Sequence, residues 1–153
     1  MKLLDDKNLG KDENLVKKGL NLIDYKEQVI SLWNDMDHQN WDALYTYFQD
    51  DAIINWNNTN ESFNVTEFVK ANAEYPGDWS IEIERLECIQ NLVISVVKVQ
   101  LKRDAVSVHA TSFFEFEDGK IKLLNEYWGD DGEPPQWRIE KQIGRHILPK
   151  KDL

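Results

Sequence analysis

Asp118-Gly119 constrains this chain more than any other pair of residues. The dipeptide stands between two runs rich in aromatic and β-branched side chains, FFEFEDGKIKLL, the strongest short-range signal for a β-hairpin. Both central positions of a two-residue turn of this type need φ > 0, which Asp tolerates and Gly adopts at no steric cost. The turn then sets a register: Glu117 faces Lys120, Phe116 faces Ile121 and Phe114 faces Leu123. Further along, Thr111 is expected opposite Glu126, and His109 opposite Trp128. In regular strands His109, Thr111, Phe113, Leu124, Glu126, Trp128 and Asp130 share one face. One bulge would exchange the two faces beyond it.

The charge balance removes whole classes of partner. Eighteen basic and 28 acidic residues give a net charge of −10. Phosphate backbones and anionic lipid surfaces both require a basic face, so no nucleic acid and no membrane is expected as a partner. No run approaches the roughly 20 apolar residues of a membrane span. The opening MKLLDDKNLGKDEN lacks the apolar stretch of a secretory signal, and a cytoplasmic location is the expectation. Cys88 is the single cysteine and reads as an inert, buried thiol. Six tryptophans are many for 153 residues, and point to a rich core or an aromatic-lined cavity.

In chain order the sequence divides into an arm over 1–22, a domain over 23–132 and a tail over 133–153. A first helix is expected from Tyr25 to Asp37, capped by Asp24 and Glu27, with Tyr25, Val29, Leu32, Trp33 and Met36 on one face. A short second helix follows, with Asn40 as its cap and Trp41, Leu44, Tyr45 and Phe48 on one side, ending at Gln49-Asp50-Asp51. Ala52 to Trp56 reads as a strand, with Ser62-Phe63 returning beside it. Asn64 and Glu67 have capping-box spacing at the start of a third helix, which Pro76-Gly77 breaks. Four strands in succession then begin at Trp79 and end before Pro134-Pro135. In the tail, Trp137 is the largest apolar anchor, with Ile139, Ile143 and Ile147. Helices mixed with a short hairpin, followed by consecutive antiparallel strands, make an α+β pattern. Such a sheet can curl under its helices and leave a pocket between them.

Two stretches carry a family resemblance. WDALYTYFQDDAIINW, after an N-terminal helix, resembles the opening of the nuclear-transport-factor-2-like superfamily and its SnoaL-like domains. FFEFEDGKIKLLNEYWGDD resembles the closing hairpin, although Gly129 displaces Asp130 by one place from the usual pattern. The resemblance covers about residues 23–131. It implies a cone-shaped, cystatin-like α+β fold, with three N-terminal helices packed on a strongly curved antiparallel sheet that encloses a pocket. It also implies a homodimer formed through the sheet. The superfamily includes ketosteroid isomerase, limonene-epoxide hydrolase, scytalone dehydratase and polyketide cyclases, with many members of no known activity. Glu126 matches the place of a cavity-facing acid in the last strand of the epoxide hydrolases. Val96 to Val99 supplies neither the Arg nor the Asp those enzymes use, which disfavours that activity.

Glu126 is the first catalytic candidate, because an apolar setting strips hydration from the anion and moves its pKa toward neutrality. The alternatives are a solvent-facing Glu126 or one paired with a structural Arg such as Arg138. His109, beside it in a regular register, is the second candidate, against a purely structural histidine. Asp130 is the third, against a plain turn. Trp33, Asn55, Trp56, Thr111, Phe113 and Trp128 are the expected ligand contacts, against the reading that the tryptophans are simply core. No Walker loop, GxSxG, HExxH or CxxC pattern occurs, so neither a cofactor nor a metal is expected. The chain therefore reads as a pocket protein for an unknown, mostly apolar or aromatic small molecule. It would either move protons in an isomerisation, cyclisation, dehydration or hydrolysis, or serve as a non-catalytic binding or dimerisation module. An adaptor for another protein is a third reading, which an exposed apolar patch would favour.

Overall fold

The computed structural model describes residues 25–148. The N-terminal arm, Asp24 at the expected first cap and the last five residues lie outside the described part. Helix α1 spans 25–37 and buries Val29, Leu32, Trp33 and Met36, the apolar face expected from their spacing. The second helical segment, Trp41–Tyr47, is a 3-10 helix. Its three-residue period places Trp41, Leu44 and Tyr47 on the core side, so Tyr47 takes the place expected for Tyr45, which is exposed. Asn40 makes no side-chain cap; its amide donates to Asp35 Oδ1 instead. The Tyr47 hydroxyl donates to Asp35 Oδ2 at 2.5 Å and ties the segment to α1. Burial and that carboxylate push the phenol up to about 12.

Strand β1, Phe48–Trp56, begins before the expected Ala52, so Gln49 to Asp51 belong to the sheet rather than to a helix end. Strand β2, Glu61–Phe63, pairs back on it. Helix α2, Val65–Ala73, carries the full capping box: Asn64 Oδ1 accepts from the Glu67 amide, and Glu67 Oε2 accepts from the Asn64 amide. Strands β3, Trp79–Ile89, and β4, Leu92–Leu101, pair antiparallel, as do β5, Ser107–Glu117, and β6, Lys120–Asp130. A five-residue helix α3, Gln136–Glu140, follows. The tail anchors do not anchor: Trp137, Ile139, Ile143 and Ile147 are all exposed, and Arg138 lies over the Trp137 ring.

The sheet is strongly curved and unclosed, in the order β2-β1-β6-β5-β4-β3. Every pairing is antiparallel except β1 on β6, which run parallel. The core lies between the concave face and the helices. Val93, Val97, Ala110, Phe114, Ile121 and Leu124 from the sheet meet Leu32, Trp33 and Phe68 from above, all at 2% exposure or less. Burying each such Val, Leu, Ile or Phe side chain contributes about 1.5–3 kcal/mol. Cys88 is half-buried rather than buried.

The hairpin turn forms as read, with φ of 50° at Asp118 and 82° at Gly119, and Phe116 opposite Ile121. The register then slips. Glu115 faces Leu123, so Lys122 has no cross-strand pairing partner and forms a bulge. Beyond it Phe114 faces Leu124, Ser112 faces Glu126 and Ala110 faces Trp128. Every side chain of β5 beyond the bulge is therefore on the face opposite to that expected relative to β6.

Candidate functional site

The slip decides who meets whom. Glu126 stays on the concave face, joined by Ser112 rather than Thr111. His109, Thr111 and Phe113 lie on the convex face, outside the cavity. Thr111 faces Tyr127, and the Phe113 ring packs edge-on to Tyr127 at 5.9 Å. Asn55 is also convex: it alternates with inward Ile54 and Trp56, and its amide donates to Asn125.

A row of polar groups crosses the concave face in register. Ser95 on β4 faces Ser112 on β5, Ser112 faces Glu126 on β6, and Glu126 faces Trp56 on β1. Ser95, Ser112 and Glu126 are at most 1% exposed. The Trp33 indole on α1 donates to Ser95 Oγ at 3.0 Å. Among the described residues the rest of the row is unsatisfied: Ser112 Oγ, Glu126 Oε1, Trp56 Nε1 and, next along β6, Trp128 Nε1 make no hydrogen bond of regular geometry. Buried polar groups are almost always paired, so four unpaired atoms close together on the concave face single this row out as the candidate site. Burial pushes the Glu126 carboxyl up to about 8, against the lowering influence of the nearby Trp128 N–H. Among the described residues Glu126 takes part in no ion pair, and Arg138 lies in α3 on the tail.

Above this row lies a cavity of about 690 Å³, within the range of small-molecule sites. Trp33, Trp56, Trp128 and Asp130 line it, as do Trp41, Tyr75 and Trp79. The Trp56 and Trp128 rings meet edge to face at 6.5 Å. Glu126 is not among the lining residues; it stands opposite Trp56 in register and two residues before Trp128 on the same face of β6. Ser112 had no signal in the sequence, because the register that brings it to Glu126 depends on the bulge. Trp41 carried one: its three-residue spacing to Leu44 and Tyr47.

His109 belongs to a separate cluster. Its Nε2 lies 3.0 Å from Glu84 Oε1, its Nδ1 contacts Asp131 Oδ1, and Ser107 donates to Asp131 Oδ2. With a carboxylate at each ring nitrogen the imidazolium satisfies both, and the bonds to Asp131 and then Glu84 raise the His109 pKa. Burial would raise the Asp131 carboxyl, but the bonds from Ser107 and His109 outweigh it and hold it below its usual value. Among the described residues no cluster of three His, Cys, Asp or Glu side chains has metal-holding geometry, and no helix is long and apolar enough to cross a membrane.

Residues 27–124 match the family of the SnoaL-like domain. The chain belongs to that family. Among solved structures, a candidate ketosteroid isomerase from Kribbella flavida is 19% identical, with a TM-score of 0.72 over 87% of this chain and 96% of its own. A protein of unknown function from Burkholderia xenovorans, of the same nuclear-transport-factor-2-like type, is 23% identical, with a TM-score of 0.68 over 82% and 96%. An epoxide hydrolase of the LEH-like type from M. tuberculosis is 14% identical, with a TM-score of 0.60 over 71% and 84%. At these identities the likeness establishes the SnoaL-like fold and leaves the chemistry to the site itself. No curated protein matches the sequence significantly.

Proposed function

We propose that this SnoaL-like domain binds a flat, mostly apolar molecule in the tryptophan-lined cavity and moves a proton at one of its oxygens with Glu126. The carrying observation is the fully buried Glu126 carboxyl, its Oε1 unpaired among the described residues, with the Trp128 N–H close enough to lower its pKa and the Trp56 indole opposite it in register. A carboxyl with a pKa of about 8 is largely protonated at neutral pH and serves as a general acid. Trp56 and Trp128 would hold the same oxygen by hydrogen bonds as charge develops on it. The reaction class is isomerisation, cyclisation, dehydration or hydrolysis, with a Trp128 side-chain rotation admitting the ligand to Glu126. The presence of enzymes of these kinds among the structural neighbours supports the reading.

The near-complete burial of Glu126, which does not itself line the cavity, favours a second reading, a non-catalytic binding module of the same fold. A thermal-shift screen of small aromatic and alicyclic carbonyl compounds, epoxides and alcohols, repeated on Glu126→Gln, separates the two. Turnover by wild type, lost in Glu126→Gln while binding persists, is expected for the enzyme. Stabilisation of both forms with turnover by neither would leave only the binding module. We also propose a homodimer through the convex face, supported by the half-exposed Ile53 and Tyr127 there. Light scattering is expected to give twice the 18.0 kDa chain mass.

A further inference from the structure

The cavity has a sign. Six of its lining side chains are Trp33, Trp41, Trp56, Tyr75, Trp79 and Trp128. Glu61 and Asp130 line it too, and among the described residues no Lys, Arg or His does. The two carboxylates are not scattered. Glu61 faces Trp56 across the β1–β2 pair, and Asp130 follows Trp128 by two residues on the same face of β6. Each acid thus flanks one of the two indoles that meet at 71°. Among the described residues neither acid takes part in an ion pair.

Those features share one electrostatic consequence. An aromatic face carries negative potential, and rings at a wide mutual angle form two walls of a cage for a cation. Carboxylates at the rim of a low-dielectric cleft focus the same sign of field into it. An anion would meet repulsion with no basic group to offset it. A neutral molecule would gain only apolar contact.

We infer that the cavity selects organic cations, an amine or quaternary ammonium carried on an aromatic or alicyclic body, over neutral isosteres and over anions. The cationic end sits at the Glu61–Asp130 rim, outside the Trp56–Trp128 contact, and the rest of the ligand extends into the cavity past these indoles. This rests on the reading of the cavity as a ligand pocket, and goes beyond it by naming the charge of the ligand.

The test uses the full chain and three matched probes. These are (4-hydroxymethylphenyl)trimethylammonium, its uncharged isostere 4-tert-butylbenzyl alcohol, and 4-tert-butylbenzoate. Dissociation constants come from tryptophan fluorescence and are checked by NMR titration. The ammonium probe is expected to bind at least about tenfold tighter than the alcohol, with the benzoate weakest. In a Glu61→Gln/Asp130→Asn variant that melts like wild type, the preference is expected to shrink to less than about threefold. Equal or tighter binding of the alcohol overturns the inference but leaves the pocket reading standing. A preference unchanged in the double variant overturns the role given to the two carboxylates. Failure of all three probes to perturb the cavity tryptophans removes the pocket reading and the inference together.

Discussion

Trp56 and Glu126 face each other across the parallel β1–β6 seam, and each buries a polar atom that has no hydrogen-bond partner among the described residues. A fold that needed only packing would place apolar groups at both positions, as it does one step back at Ile54 and Leu124. Leaving a donor and an acceptor unpaired costs about 1–3 kcal/mol for each group. That cost sits beneath the aromatic end of the cavity, where a bound molecule can offset it.

Glu126 gives the clearest pH signature. Between about pH 4.5 and about 8 the folded chain keeps a proton that the unfolded chain has released. Stability therefore falls as pH rises through that window, by up to about 5 kcal/mol from this group alone. In Glu126→Gln the term is absent. Urea melts of both proteins at pH 5 and pH 9 check it: the variant is expected to gain on wild type by several kcal/mol at the higher pH. Parallel pH dependences would show that Glu126 is ionised inside the fold.

The turn and the Asn64 capping box were legible because each depends on a few adjacent residues. Asp118-Gly119 has positive φ at both places, and Asn64-Glu67 closes its box, both for reasons written in the side chains. The bulge was not legible from the turn, although its position carries a trace. Leu123-Leu124 breaks the alternation of β6, and Glu84-Arg85 breaks that of β3 beside its own register shift. At both places two residues of one kind stand where alternation demands different ones. Reading those pairs as phase slips would have moved His109 and Thr111 outward and brought Ser112 to Glu126. The polar start of β1 reads as a helix end because exposed strand residues look like any other polar run.

The convex cluster predicts a second pH response with no tie to the cavity. The His109 pKa is raised above 6.5, so its contribution is complete below that pH and is lost as pH rises through the folded value. The Asp131 pKa is lowered below 3.8, so its contribution is complete above that pH and is lost as pH falls through the folded value. Their joint contribution is fullest between about pH 4 and 6. In His109→Gln the thermal midpoint is expected to lose this maximum. Ligand affinity in the cavity should stay within about twofold of wild type, since the ring lies on the other face of the sheet. A large loss of affinity would place His109 in the binding machinery.

The capping box offers a calibration of the fold. Asn64→Ala removes the acceptor for the Glu67 amide at the start of α2 and is expected to cost about 1 kcal/mol in urea melts. Glu67→Ala should cost less when made on top of it, because the two bonds close one motif. Full additivity would mean that each half of the box acts alone.

Ser95 and Ser112 stand side by side, both fully buried, yet their hydroxyls are in opposite situations. Ser95 accepts from the Trp33 indole, whereas Ser112 has no partner. Ser95→Ala strands a buried indole N–H and is expected to cost about 1–3 kcal/mol. Ser112→Ala deletes a hydroxyl that nothing satisfies, and is expected to leave stability unchanged or raise it by up to about 1 kcal/mol. The same substitution is expected to weaken any ligand whose oxygen reaches the polar row. The paired melts therefore test whether the orphaned groups are kept for binding. If Ser112→Ala destabilises as much as Ser95→Ala, the Ser112 hydroxyl is part of the fold's own bonding and the row is structural.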